Sequence, residues 1–170
     1  METHPTTERP TENRFILHRF NGDEVYNIKS AVLFAYVNED RGVTLCLEAA
    51  ADSDALQRCE DTADMRCAPR AETDFDLPEL DAGRLVGRVF EFPGTTSYED
   101  ENDSSSLYYC EHEPLWNHHV RFLSRDDDRF RLSWTATARD VNYYRGGKPD
   151  TRVEIEGEFL FKNVARWIKA

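Results

Sequence analysis

The stretch RFRLSWTATAR, residues 129–139, carries the plainest structural signal in the chain. Apolar side chains alternate there with arginine, serine and threonine, beginning with Phe130, Leu132 and Trp134. A period of two residues places successive side chains on opposite faces of a β-strand. The stretch therefore predicts a strand that buries one face and exposes the other.

A second stretch with the same period, VEIEGEFLF at residues 153–161, is expected to pair with the first. Antiparallel pairing with Ala138 opposite Val153 brings the two apolar faces together along the whole ladder. The outward face of the second stretch then carries three glutamates, Glu154, Glu156 and Glu158. Threonine and serine lie opposite them in this register, so we expect these carboxylates to lack a neutralising partner on the paired strand.

A third strand, at residues 119–124, is expected to pair with residues 129–139 through a short connection. In this hairpin Phe122 falls opposite Phe130 and His118 falls opposite Trp134. The three strands form a meander with one apolar face.

The remaining patterns predict further strands and little helix. Strand-like alternation or a short apolar run occurs at residues 14–20, 31–37, 43–47, 84–92 and 107–110. Helical spacing is confined to residues 49–68 and 163–170, and the acidic residues 69–83 predict a loop because Pro78 interrupts them. The predicted class is all-β with one or two short helices, as an antiparallel β-sandwich or a partly open barrel.

Length and charge limit the classes of function. The 170 residues suit a single β-rich domain at residues 14–170, preceded by a disordered tail at residues 1–13. A formal net charge of −12 repels nucleic acid and anionic lipid, and it favours basic partners. No apolar run approaches the roughly 20 residues of a membrane helix. The first residues also lack the features of a secretory signal, so we expect a cytoplasmic protein.

The densest group of potential metal ligands is CEHEPLWNHH, residues 110–119. The predicted ligands for zinc or another divalent cation are Cys110, His112 and His118. Glu113 is the predicted base. The spacing contains neither C-x-x-C nor H-x-x-x-H, so a polar loop with one histidine against the core is the alternative. The four cysteines form no C-x-x-C pair and are expected to be free thiols.

Two other groups of residues are candidates for recognition. Tyrosine, arginine and glycine on a loop are common in binding surfaces, and this composition occurs at Tyr143, Tyr144 and Arg145. The row Glu154, Glu156 and Glu158 offers a negative stripe. We therefore predict a noncatalytic binding module for a basic protein or a small ligand, without a cofactor. The alternative is a metal-dependent enzyme that acts on a small molecule through residues 110–119.

Overall fold

The computed structural model describes residues 12–94, 105–141 and 147–163, and the regular secondary structure in these ranges is almost wholly β-strand. The ten strands are β1 (Arg14–Arg19), β2 (Gly22–Val37), β3 (Val43–Ala51), β4 (Arg70–Leu77), β5 (Val89–Gly94), β6 (Ser106–Tyr109), β7 (Glu111–Pro114), β8 (Trp116–Asp126), β9 (Arg129–Ala138) and β10 (Thr151–Asn163). Two short 3-10 turns, Glu60–Thr62 and Ala82–Arg84, are the helical elements in these ranges. No helix among the described residues is long and apolar enough to cross a membrane.

All ten strands belong to one sheet, in the order β5-β8-β9-β10-β1-β2-β3-β4-β6-β7. Neighbours in this order are antiparallel, and the short β1 lies between the long strands β2 and β10. Beyond the N-terminal end of β1, at Arg14, β10 and β2 pair directly and in parallel, with Leu160 opposite Val32. At this junction Gly157 has no side chain, and a Cβ there would lie 2.7 Å from Ile28 Cδ1. The glycine therefore allows the two long strands to close over the end of β1.

The sheet curls so that distant strands face each other across the core. The ring of Phe75 on β4 lies 4.9 Å from Phe90 and 5.0 Å from Phe92, both on β5. In the sheet order, β5 and β4 are separated by six other strands. Such contacts require the sheet to roll over its own apolar face. The predicted all-β class is confirmed, and the form is that of an open sandwich or barrel.

The alternation that predicts β9 is confirmed, but the predicted registers of β10 and of the middle of β8 against β9 are wrong by two residues. Phe130, Leu132 and Trp134 are buried, and their neighbours on β9 are more exposed. On β10, Thr151 rather than Val153 lies opposite Ala138, and on β8 Val120 lies opposite Trp134. A shift of two residues keeps every side chain on its original face, so hydrophobic alternation alone cannot choose between the registers.

Three local predictions are also wrong. Strand β3 continues to Ala51, and residues 52–69 form a loop with one 3-10 turn instead of a helix. The predicted loop at residues 69–83 contains strand β4, whose Ala71 and Thr73 are buried. The core face of β4 alternates Ala71, Thr73, Phe75 and Leu77 with acidic residues that are uncommon in strands, and Pro78 follows directly, so the segment has the composition of a loop. The predicted strand at 84–92 begins only at Val89. Residues 1–11 and 164–170 lie outside the described residues.

Candidate functional site

Cys110 cannot serve as the predicted thiolate ligand, because it forms a disulfide with Cys67. The two Cα atoms lie 6.0 Å apart, a normal separation for a disulfide. The expectation of free thiols is therefore wrong for this pair and holds for Cys46 and Cys59. The pairing leaves no local sequence motif, since 43 positions separate the two cysteines.

The two predicted histidine ligands occupy different environments. His118 is buried, and its Nδ1 lies 3.2 Å from Trp134 Nε1, which donates to it. The other ring nitrogen, Nε2, lies 3.2 Å from the carbonyl oxygen of Leu115. His112 packs against the ring of Tyr108 on the neighbouring strand, with 4.8 Å between the ring centroids. Among the described residues, no group of three or more His, Cys, Asp or Glu side chains could hold a metal ion.

The predicted recognition residues Tyr143, Tyr144 and Arg145 lie outside the described residues. The predicted row of unneutralised glutamates is wrong in part, because one arginine of β9 and one of β10 itself reach it. Glu154 Oε2 lies 2.9 Å from His18 Nε2 and 3.0 Å from Arg152 Nη1.

Glu156 of the same row also has a cationic neighbour. Its Oε1 accepts a hydrogen bond of 2.7 Å from Arg131 Nη2. Arg131 is the residue directly opposite Glu158 in the observed register of β9 and β10. The two-residue shift therefore brings an arginine beside the glutamate row that the expected register leaves without one.

A buried ionic network lies at the β1–β2 turn, where the Arg19 side chain is fully shielded from solvent. Its guanidinium donates to Glu24 at 2.9 Å, to both oxygens of Asp61 at 3.0 and 2.8 Å, and to Asp140 at 3.1 Å. Glu24 and Asp140 are themselves buried. Three carboxylates around one guanidinium form a dense set of charge-assisted hydrogen bonds.

The carboxylate of Glu24 is held in its ionised form by its neighbours. Burial alone would raise the pKa of Glu24, but hydrogen bonds from Thr62, Tyr26 and Tyr109, together with the charge of Arg19, lower it below its usual value. The two tyrosine hydroxyls donate to Glu24 Oε2 at 2.6 and 2.9 Å. This network joins strands and loops inside the protein, and its geometry indicates a structural role.

An open acidic cleft lies at the opposite end of β2, between the β2–β3 turn and the outer face of β4. Its volume is about 550 Å³, and it is lined by Tyr36, Val37, Asn38, Glu39, Asp40, Thr44, Asp74 and Asp76. Four of these residues are carboxylates, and none of these lining residues is a lysine or an arginine. The cleft is therefore a concave region of concentrated negative charge.

The strand register fixes the cleft residues in place. Thr44 on β3 lies opposite Tyr36 on β2 and opposite Asp76 on β4, so the three side chains share the outer face. Asp76 Oδ1 accepts hydrogen bonds from the Thr44 hydroxyl and from Asn38 Nδ2. The Asn38 side chain also accepts from the backbone N–H of Gly42 at 2.9 Å, which ties down the turn.

A second cavity, of about 340 Å³, has a more balanced charge. It is lined by Arg70, Glu72, Ser106, Tyr108 and His112. Arg70 lies 3.5 Å from Glu48 and 3.6 Å from Glu72, so its positive charge is matched within the protein. The acidic cleft is therefore the stronger candidate for recognition of a charged ligand.

Sequence reasoning missed the cleft because its carboxylates fall between the predicted strands 31–37 and 43–47 and in the predicted loop 69–83. The missed signal is the alternation at residues 71–77, where Asp74 and Asp76 flank the apolar Phe75. Comparisons with protein-family models, with curated proteins and with solved structures find no match for this chain. A function for the protein therefore rests on the chemistry of the cleft.

Proposed function

We propose that the protein is a noncatalytic binding module, whose acidic cleft receives lysine or arginine side chains of a basic protein. The observation that carries this proposal is the concentration of four carboxylates in a cleft of about 550 Å³ without a lining cation. The formal net charge of −12 extends the same electrostatic preference to the whole chain. A negative protein surface accelerates the encounter with a basic partner and disfavours acidic ones.

The cleft combines charge with a small apolar surface. Tyr36 and Val37 line it beside the carboxylates, and about a third of the Val37 surface is exposed. A lysine side chain has a long methylene stem that packs on apolar surface while its ammonium group stays with the carboxylates. At 4 Å and an effective dielectric constant of about 20, one such ion pair contributes about 4 kcal/mol before desolvation is subtracted.

Binding is favoured over nucleophilic catalysis by the state of the nearest thiol. Cys46 lies opposite Asp74 in the β3–β4 ladder. Burial, and then the charge of Asp74, raise the pKa of Cys46 to about 11. The protonated thiol is a poor nucleophile at neutral pH.

The expected cytoplasmic location stays a prediction, and a disulfide such as Cys67–Cys110 is more usual in oxidising compartments.

The proposal is tested by isothermal titration calorimetry with a nine-residue lysine peptide as the probe. The cleft variant combines Glu39→Gln, Asp40→Asn and Asp74→Asn, which remove three charges with little change in side-chain size. We expect its affinity for the peptide to fall about tenfold or more, which corresponds to a loss of roughly 1.4 kcal/mol.

The matched control removes three exposed carboxylates away from the cleft through Asp54→Asn, Glu60→Gln and Glu79→Gln. Both triple variants have the same net charge, so the comparison separates a local site from general electrostatic attraction. Equal losses of affinity in both variants, or no binding of the peptide to the unmodified protein, would refute the proposed site.

A further inference from the structure

The loop at residues 52–69, here called the covering loop, replaces a strand along the first half of β2. Beyond Ile28 the edge of β2 is paired with β3, but before it the covering loop supplies the hydrogen bonds. The N–H of Val25 donates to Gln57 at 2.9 Å, and the N–H of Leu56 donates to the Val25 carbonyl at 2.8 Å. The loop is thus docked on the sheet by backbone contacts at only a few positions.

The covering loop also closes the buried ionic network described above. Asp61 accepts two of the hydrogen bonds that Arg19 donates, and the hydroxyl of Thr62 donates to Glu24. Thr62 is fully buried, whereas about a fifth of the Asp61 side chain is exposed. Movement of this loop would therefore open the network of Arg19 and Glu24 to water.

One arginine connects the covering loop to the two tyrosines of the network. Arg58 Nη1 donates to the hydroxyl of Tyr26 at 3.2 Å and to that of Tyr109 at 3.0 Å. Its Nη2 donates to the carbonyl oxygen of Cys67 at 3.0 Å. Tyr109 directly precedes Cys110 in the chain. The disulfide and the arginine therefore fasten the same loop to the same turn between β6 and β7.

The disulfide lies near the surface, at the edge of the core. Cys67 and Cys110 are both only partly buried, and Cys110 has a backbone φ of 64°. A positive φ is uncommon for a residue other than glycine, so the surroundings must hold this turn in its conformation. The disulfide is the covalent constraint that joins this turn to the covering loop.

We propose that the Cys67–Cys110 disulfide is a redox latch that keeps the covering loop closed over the Arg19–Glu24 network. A dithiol reductant opens the latch by thiol–disulfide exchange. One thiolate of the reductant attacks a disulfide sulfur and forms a mixed disulfide, which the second thiol of the reductant then resolves. Two electrons and two protons pass to Cys67 and Cys110, which become thiols, and the reductant becomes a disulfide.

The two remaining cysteines do not compete in this exchange. Burial raises the pKa of both Cys46 and Cys59, so few thiolates are present at neutral pH to attack the disulfide. The redox response is thereby confined to the Cys67–Cys110 pair. It acts on a loop at the far end of β2 from the acidic cleft, so the latch does not depend on the proposed binding function.

The test is amide hydrogen exchange, followed by mass spectrometry, on the full chain before and after treatment with dithiothreitol at neutral pH. We expect exchange at residues 52–69 and at the β6–β7 turn to become at least about tenfold faster, because local opening sets the exchange rate. Exchange in β9 and β10 should stay the same. Unchanged exchange in the covering loop, or an equal increase across the whole sheet, would overturn the proposal.

Two variants identify the responsible cysteines. The variant with Cys46→Ala and Cys59→Ala keeps the disulfide and should respond to dithiothreitol like the unmodified protein. The variant with Cys67→Ser and Cys110→Ser should show the fast exchange without reductant and no further response. Loss of the response in the first variant would assign the redox chemistry to other thiols and overturn the latch. If the second variant fails to fold, the unmodified protein and the first variant still decide the question.

Discussion

The buried network around Arg19 makes a sharp prediction about stability. In the Arg19→Met variant, the side chain keeps most of its apolar volume but loses the guanidinium and its four hydrogen bonds to three carboxylates. Glu24 and Asp140 are then left buried without their cation. Removal of one partner from a buried ion pair typically costs about 3–5 kcal/mol. We expect a loss of free energy of unfolding in this range at pH 7.

This loss is large beside the total stability of a single domain, about 5–15 kcal/mol. The measurement is urea unfolding followed by intrinsic tryptophan fluorescence, to which Trp134, buried in the native protein, contributes. Arg70→Met is the matched control, because about half of the Arg70 side chain is exposed and its ion pairs are long. The control should lose no more than about 1 kcal/mol. An Arg19→Met variant as stable as the control would refute the view that buried charges depend on this arginine.

Two further predictions concern Gly94 and Glu24. Gly94 has a φ of 60°, and a Cβ there would lie 2.5 Å from the Leu115 carbonyl oxygen. The Gly94→Ala substitution should therefore lower the free energy of unfolding by about 1–3 kcal/mol. An unchanged melting temperature would contradict this prediction. The pKa of Glu24 is lower in the folded protein than its ordinary 4.5, so its stabilising contribution is complete above about pH 4.5 and is lost as the pH falls through the folded-state value. The urea midpoint of the unmodified protein should therefore fall as the pH is lowered below about 4.5, more steeply than that of Glu24→Gln, and parallel curves would contradict the prediction.

The sequence predicted the strands with strong hydrophobic alternation, but it could not determine the register in which these strands pair. Strands β9 and β10 were found because large apolar residues such as Trp134 and Phe159 recur every second position. Their register is not determined by alternation, because a shift of two residues leaves every side chain on the same face of the sheet.

The candidate site was missed because it depends on contacts between distant segments. Asp74 and Asp76 join the cleft only because β4 pairs with β3, and the acidic residues of β4 together with Pro78 predicted a loop instead of that strand. The ionic network also depends on contacts between distant segments, since 121 positions separate Arg19 from Asp140. By contrast, the contact of one histidine with the core was predictable, and His118 is that residue.

The most direct test of the proposed binding function is a titration of the isotopically labelled protein with the lysine peptide. The changes in the amide chemical shifts of the protein are monitored by NMR. We expect the largest shifts in two segments, residues 36–44 and residues 74–76, and we expect added salt to reduce them because the contacts are ionic. Shifts confined to the outer face of β10, at residues 154–158, or no saturable shifts at all, would contradict the assignment of the acidic cleft as the site for a basic partner.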